Sequence, residues 1–251
     1  MTPDFDMAKR FLAAHAPPGK LVLVGVTGSH LYGFPSPDSD VDLKGIHAAP
    51  VHQLLGLDVP KETHDVLTDF EGVEHDLTTH EAARALSLLL RGNGNVLERI
   101  LSPLQVIESD EVKALQALAR GSISKSFAGH YRGFFKGMRR EHDLRRRAKS
   151  MLYSYRVALT GVHLLKTGKL EASLIELAPR YGFESVLELC EFKAEAGEKS
   201  TLPEEIDQRH RERWDELDAL LGETLAASTL SESAPNRDAM NEWLIALRKT
   251  S

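Results

Sequence analysis

The hydrophobic pattern of this chain changes period near residue 80, and that change constrains the fold more than any other feature. Upstream, short β-branched runs alternate with turn residues. Downstream, apolar residues recur at helical spacing almost to the end. The pattern points to an α+β architecture: a small mixed β-sheet domain, then a helical domain. With 251 residues the chain can hold one large domain or two smaller ones. The expected division is residues 1–110 and 111–251, with the boundary between Leu104 and Ser124.

Residues 4–15 place Phe5, Ala8, Phe11 and Leu12 on one helical face, and Pro17-Pro18-Gly19 stops that helix. Residues 21–26 read as a buried strand, and 27–38, rich in Gly, Pro and Ser, as a loop with a short helical turn. A second strand is expected at 40–46 and a short helix at 50–55. Two more strands, 62–70 and 73–79, flank Glu71-Gly72 and suggest a hairpin. Thr79 and Glu81 open a helix that Gly92-Asn93-Gly94-Asn95 ends. Further helices are expected at 96–101, 112–118, 127–144, 151–165, 174–181, 186–196, 206–225 and 238–249.

Apolar residues make up 42% of the chain, yet no run approaches the roughly 20 residues of a spanning helix, so no membrane partner is expected. Cys190 is the single cysteine, which excludes an intrachain disulfide and a cysteine-rich zinc ribbon and favours a cytoplasmic setting. The formal net charge of -6 offers no global attraction for nucleic acid. Residues 130–149 reverse that sign locally, with Arg132, Lys136, Arg139, Arg140, Arg145, Arg146, Arg147 and Lys149 set against Glu141 and Asp143.

The chemistry concentrates in residues 24–45. A strand ends at the Gly28-Ser29 turn, where backbone N–H groups and the Ser29 hydroxyl can cradle phosphate oxygens. Asp40 and Asp42 follow two apart on a strand, so period two aims both carboxylates at one face. Side by side they repel unless a cation lies between them, and Mg²⁺ binds through one or two carboxylates plus substrate phosphates. This order of elements suits metal-assisted phosphoryl or nucleotidyl transfer.

Gly28-Ser29-His30-Leu31-Tyr32-Gly33, followed by Ser39-Asp40-Val41-Asp42-Leu43-Lys44-Gly45, resembles the DNA polymerase beta nucleotidyltransferase superfamily and, within it, the RlaP-type nucleotidyltransferases. Gly92-Asn93-Gly94-Asn95-Val96-Leu97-Glu98 is similar to a later motif of that family, with Gly94 in place of its proline. The resemblance is clear over about residues 20–102, with a weaker echo at 149–168. It implies two Mg²⁺ ions, with Mn²⁺ as a substitute, held by Asp40, Asp42 and a third carboxylate. Candidates for the third are Asp65, Asp69, Glu74 and Asp76. The family pattern selects Asp76, with Glu74 as runner-up.

The resemblance further implies that Gly28 and Ser29 grip the β- and γ-phosphates of an NTP, and that Asp76 serves the acceptor side. Lys149 and Arg156, seven apart on one helix face, suit a triphosphate clamp. The implied reaction moves a nucleoside monophosphate to an acceptor hydroxyl: an RNA end, as the family's link to RNA repair implies, or instead a protein hydroxyl or a small molecule. Arg139, Arg140, Arg145, Arg146 and Arg147 are candidates for acceptor contacts. Two alternatives stand beside this: a toxin–antitoxin enzyme modifying a protein or tRNA, and a non-catalytic nucleotide sensor. Tyr32 is expected to pack under the loop, Asn93 to cap a helix, and the spacing of His75 and His80 is poor for a metal.

Overall fold

Strands β1 (Lys20–Val26), β2 (Val41–Ala48), β3 (Thr63–Phe70) and β4 (Val73–Glu81) form one mixed sheet in the order β1-β2-β4-β3. The computed structural model describes residues 3–37, 39–197 and 199–250. β1 pairs antiparallel with β2, β2 parallel with β4, and β3 antiparallel with β4. The expected hairpin forms at Glu71 and Gly72, whose φ angles of 52° and 82° are both positive. A two-residue connection of that kind matches the twist of the strands it joins. The outer edge of β1 is closed by residues 104–106: Val26 N–H donates to Leu104 O, and Val106 N–H to Val24 O, each at 2.8 Å.

By internal contacts the chain divides into two units. The first takes in the chain up to Leu31, Asp40–Ser122 and the chain from Ser233; the second is Tyr32–Ser39 with Ile123–Glu232. These units do not follow a linear split at 110/111. Helix α6 (Asp110–Gly121) packs on β1, and the last helix, Arg237–Arg248, returns to the sheet unit. There Arg248 Nη2 donates to Glu81 Oε1 at 3.1 Å, and Asn236 Nδ2 donates to Leu118 O at 2.8 Å.

In the first unit, helix α1 (Phe5–Ala14), capped by Asp4, lays Ala8, Phe11 and Leu12 against Val24, Val26, Leu43 and Leu77. Phe11 is fully buried and stacks on His75 with ring centroids 4.5 Å apart. His75 therefore belongs to the apolar face. His80, an odd number of residues away, faces the other side and bonds Thr63 at 3.1 Å. Short helices α2 (Gly28–Tyr32) and α3 (Val51–Leu54) precede and follow β2 in the chain. Helices α4 (Ala82–Leu90) and α5 (Gly94–Leu101) follow the sheet, and Asn93 caps α5 through Val96 N–H.

The second unit is built around α8 (Ala148–Thr167), buried along almost all of residues 150–165. It is packed by α7 (Phe127–Arg145), α9 (Leu174–Arg180), α10 (Glu188–Ala196) and α12 (Trp214–Ala227). The single helix expected at 206–225 is broken: α11 (Glu204–Glu212) ends, and α12 begins at Trp214. No Gly or Pro marks the break. Tertiary contacts make it: Arg213 donates to Gly182 O at 3.1 Å and lies over the Phe183 ring, while Trp214 Nε1 donates to Ser154 Oγ at 2.9 Å. Among the described residues no helix is long and apolar enough to cross a membrane.

Two outcomes test this packing. Phe11→Ala should cost about 3–5 kcal/mol, as measured by urea unfolding; a loss under about 1 kcal/mol would contradict the core assignment. Burial, with Arg99 and Arg84 nearby, pushes the His80 imidazole down to about 4. The unfolded ring titrates near 6.5, so between these values the unfolded chain binds the extra proton. The neutral ring's contribution is complete above about pH 6.5 and is lost as pH falls toward 4. His80→Asn should flatten this acid limb of the stability curve, and an unchanged limb would contradict the assignment.

Candidate active site

The site begins with strand register. Asp42 on β2 is the direct partner of Asp76 on β4. Alternation then puts both carboxylates on one face, while Leu43 and Leu77 point into the apolar core. Lys44 and Thr78 are the next partners on the carboxylate face. The Lys44 ammonium lies 2.8 Å from Asp76 Oδ2 and 3.7 Å from Asp42 Oδ1. Its remaining acceptors are Thr78 Oγ1 at 3.3 Å and Asp76 O at 3.4 Å. The Lys44, Asp42 and Asp76 side chains are 20%, 19% and 38% exposed, so this is a partly desolvated cluster.

The Gly-Ser turn abuts the same cluster. Thr27 N–H donates to Asp42 O at 2.9 Å, which carries the chain from β1 across the end of β2. Gly28 follows with φ +65°. A Cβ there would stand 1.9 Å from Asp42 Oδ2 and 2.8 Å from its Cγ, so the carboxylate fills the space a side chain would need. Ser29 is 1% exposed, and its hydroxyl has no hydrogen-bond partner among the described residues. A buried donor left unpaired costs about 1–3 kcal/mol, which a ligand oxygen at the turn would relieve.

The other acidic candidates separate clearly. Glu74 shares the face of Asp76 but is exposed opposite Asp69, and Asp69 Oδ1 accepts from Gly72 N–H in the hairpin turn at 3.1 Å. Asp65 is exposed on β3, opposite Thr78. Asp40 immediately precedes β2 and is half-buried. Among the described residues no three His, Cys, Asp or Glu side chains are gathered as a metal site. Asp42 and Asp76 nevertheless fit a hard cation. They are oxygen donors in direct register, and they already share a positive charge, that of Lys44.

The spacer between the Gly-Ser and Asp-x-Asp motifs, Tyr32–Ser39, belongs to the second unit. Arg156, on α8, is fully buried with its guanidinium 3.8 Å from the Tyr32 ring centroid. Tyr153 meets Tyr32 and Phe34 edge-on. Lys193 is also fully buried; its ammonium donates to Phe34 O at 3.2 Å and Ser36 Oγ at 3.0 Å. Tyr32 thus packs beneath the loop. Lys149 shares α8 with Arg156 and is half-buried.

The basic stretch is partly neutralised. Arg132 forms a two-pronged pair with Asp218, Arg139 lies near Asp215 and over the Trp214 ring, and Arg146 pairs with Glu204. Arg140, Arg145 and Arg147 have no carboxylate partner among the described residues, and the first two are exposed.

Sequence reasoning did not single out Lys44 or Lys193. The first carried a readable signal, since two residues beyond Asp42 on a strand is the same face. The second stands more than 150 residues from the loop it holds and carried none.

A mixed sheet whose first strand ends at a Gly-Ser turn, with partnered carboxylates on the neighbouring strands, is the arrangement of the polymerase beta nucleotidyltransferase class. The RlaP model, described as the RNA repair pathway DNA polymerase beta family, matches residues 7–246, and the chain belongs to that family. Among solved structures, a nucleotidyltransferase-like protein from Exiguobacterium sibiricum 255-15 shares 13% identity, with 98% of this chain and 80% of that chain covered and a TM-score of 0.37. A comparison with curated proteins gives no match.

Gly28→Ala tests the turn. Its left-handed backbone alone should cost about 1–2 kcal/mol, and the new methyl must push the Asp42 carboxylate aside. We expect a lowered melting temperature. A variant with wild-type stability would show that Gly28 and Asp42 are not in this contact.

Proposed function

We propose that this protein transfers a nucleoside monophosphate from an NTP to an acceptor hydroxyl, releasing pyrophosphate. The observation that carries the proposal is the Asp42–Asp76 pair, in register and sharing one cation, against the Gly28–Ser29 turn. Gly28 N–H and the Ser29 hydroxyl would hold the terminal phosphates. Asp40 and Asp42 would hold two Mg²⁺ ions, one shared with Asp76, and such ions supply charge neutralisation at the leaving pyrophosphate and acidify the acceptor hydroxyl. Asp76 would take the acceptor proton, a reading supported by its being the most exposed member of the Lys44 cluster. The acceptor oxygen forms a bond to the α-phosphorus as the bond to pyrophosphate breaks, with no covalent enzyme intermediate.

The family's description favours an RNA end as acceptor. Arg140, Arg145 and Arg147 are the cations of the basic stretch best suited to its phosphates, with Arg139 and Arg146 already paired.

Incubation with each α-labelled NTP, Mg²⁺ and an RNA panel tests the reaction. Label should enter RNA. Label entering protein instead would favour the toxin–antitoxin reading, and no transfer with retained nucleotide binding would favour a sensor. Asp42→Asn should lower single-turnover transfer at least about 100-fold, on the scale of other lost electrostatic contacts to a transition state. Asp76→Ala should reduce the rate far more than NTP affinity measured by calorimetry. Near wild-type transfer by Asp42→Asn would overturn the assignment.

A further inference from the structure

We propose that Lys44 is a built-in counter-cation of the carboxylate pair, which a divalent ion must displace from Asp42 and Asp76, so that Lys44 sets the metal affinity of the site. The inference rests on the reading of Asp42 and Asp76 as cation ligands. Like charges directly opposite on neighbouring strands destabilise a sheet, and Asp42 and Asp76 are such partners. Lys44 offsets that repulsion from within the same face, 2.8 Å from one carboxylate and 3.7 Å from the other. Because the cluster is partly desolvated, solvent and salt screen this attraction less than they would on an open surface.

The residue type fits displacement. A lysine carries a compact charge on a flexible stem, whereas an arginine would lock onto a carboxylate with two parallel donors. Lys44 also has acceptors to keep when the carboxylates turn to a metal, namely Thr78 Oγ1 and the Asp76 carbonyl. A divalent ion and the Lys44 ammonium therefore compete for the same two carboxylates. Lys44 is a positioning residue: before metal arrives it holds Asp42 against Gly28 and Asp76 beside it, so that the pair stays assembled.

The test compares wild type, Lys44→Met, Lys44→Gln and Lys44→Arg, without nucleotide, by thermal unfolding in EDTA and by calorimetry with Mg²⁺ alone and Mn²⁺ alone. If Lys44 occupies the pair for some 70–90% of the time, its removal should tighten metal binding about 3- to 10-fold. Lys44→Met and Lys44→Gln should melt below wild type in EDTA and gain more from saturating metal than wild type does. Lys44→Arg should recover the stability in EDTA and bind metal no more tightly than wild type. Neutral variants that bind metal as wild type does, or more weakly, would overturn the proposal and leave Lys44 a structural residue. A wild type that binds neither ion would overturn the reading of the carboxylates themselves, and the inference with it.

Discussion

The parallel pairing of β2 with β4 is the constraint on which the rest of the site depends. It places Asp42 opposite Asp76 and, one residue on, Leu43 opposite Leu77. The first pair makes the polar face and the second is part of the core beneath α1. A slip of one residue would turn carboxylates inward and leucines outward, so the buried face enforces the register that assembles the site. The Gly28 turn is fitted to the same register, because the space a β-carbon would take is filled by the Asp42 carboxylate. Core packing, strand pairing and site geometry are thus a single problem with one solution.

The spacer between the two motifs is held by different means. Tyr32 under Arg156, Phe34 against Tyr153, and the Phe34 carbonyl and Ser36 hydroxyl on buried Lys193 tie it into the helical unit. A buried ammonium is costly to desolvate unless its donors are satisfied. Here the spacer supplies acceptors for those donors, so loop conformation and helix packing support each other.

Much of this was readable in the sequence because the signals are local. Glu71-Gly72 between alternating runs announced a hairpin, and both residues adopt the positive φ it requires. Gly-Ser followed by Asp-x-Asp pointed to the candidate site, but the carboxylates found on one face are Asp42 and Asp76, paired by strand register, while Asp40 lies just before β2. Period two also put Lys44 on that face, yet motif reading attends to the acids and passes over the base between them. What sequence could not show was long-range. The break at Arg213 answers to Gly182, Phe183 and Ser154 rather than to any breaker residue. The return of the last helix to the sheet unit depends on Arg248 meeting Glu81, 167 positions away.

The reading on which the chemistry of the site turns is that of Asp42 and Asp76 as a cation-binding pair beside a phosphate-binding turn. Anomalous diffraction at the manganese edge, from crystals grown with Mn²⁺ and a non-hydrolysable NTP analogue, tests it most directly. An anomalous peak is expected within bonding distance of both carboxylates, with the terminal phosphates at Gly28 and Ser29. A bound analogue whose manganese lies away from Asp42 and Asp76, or whose phosphates lie away from the turn, would contradict it.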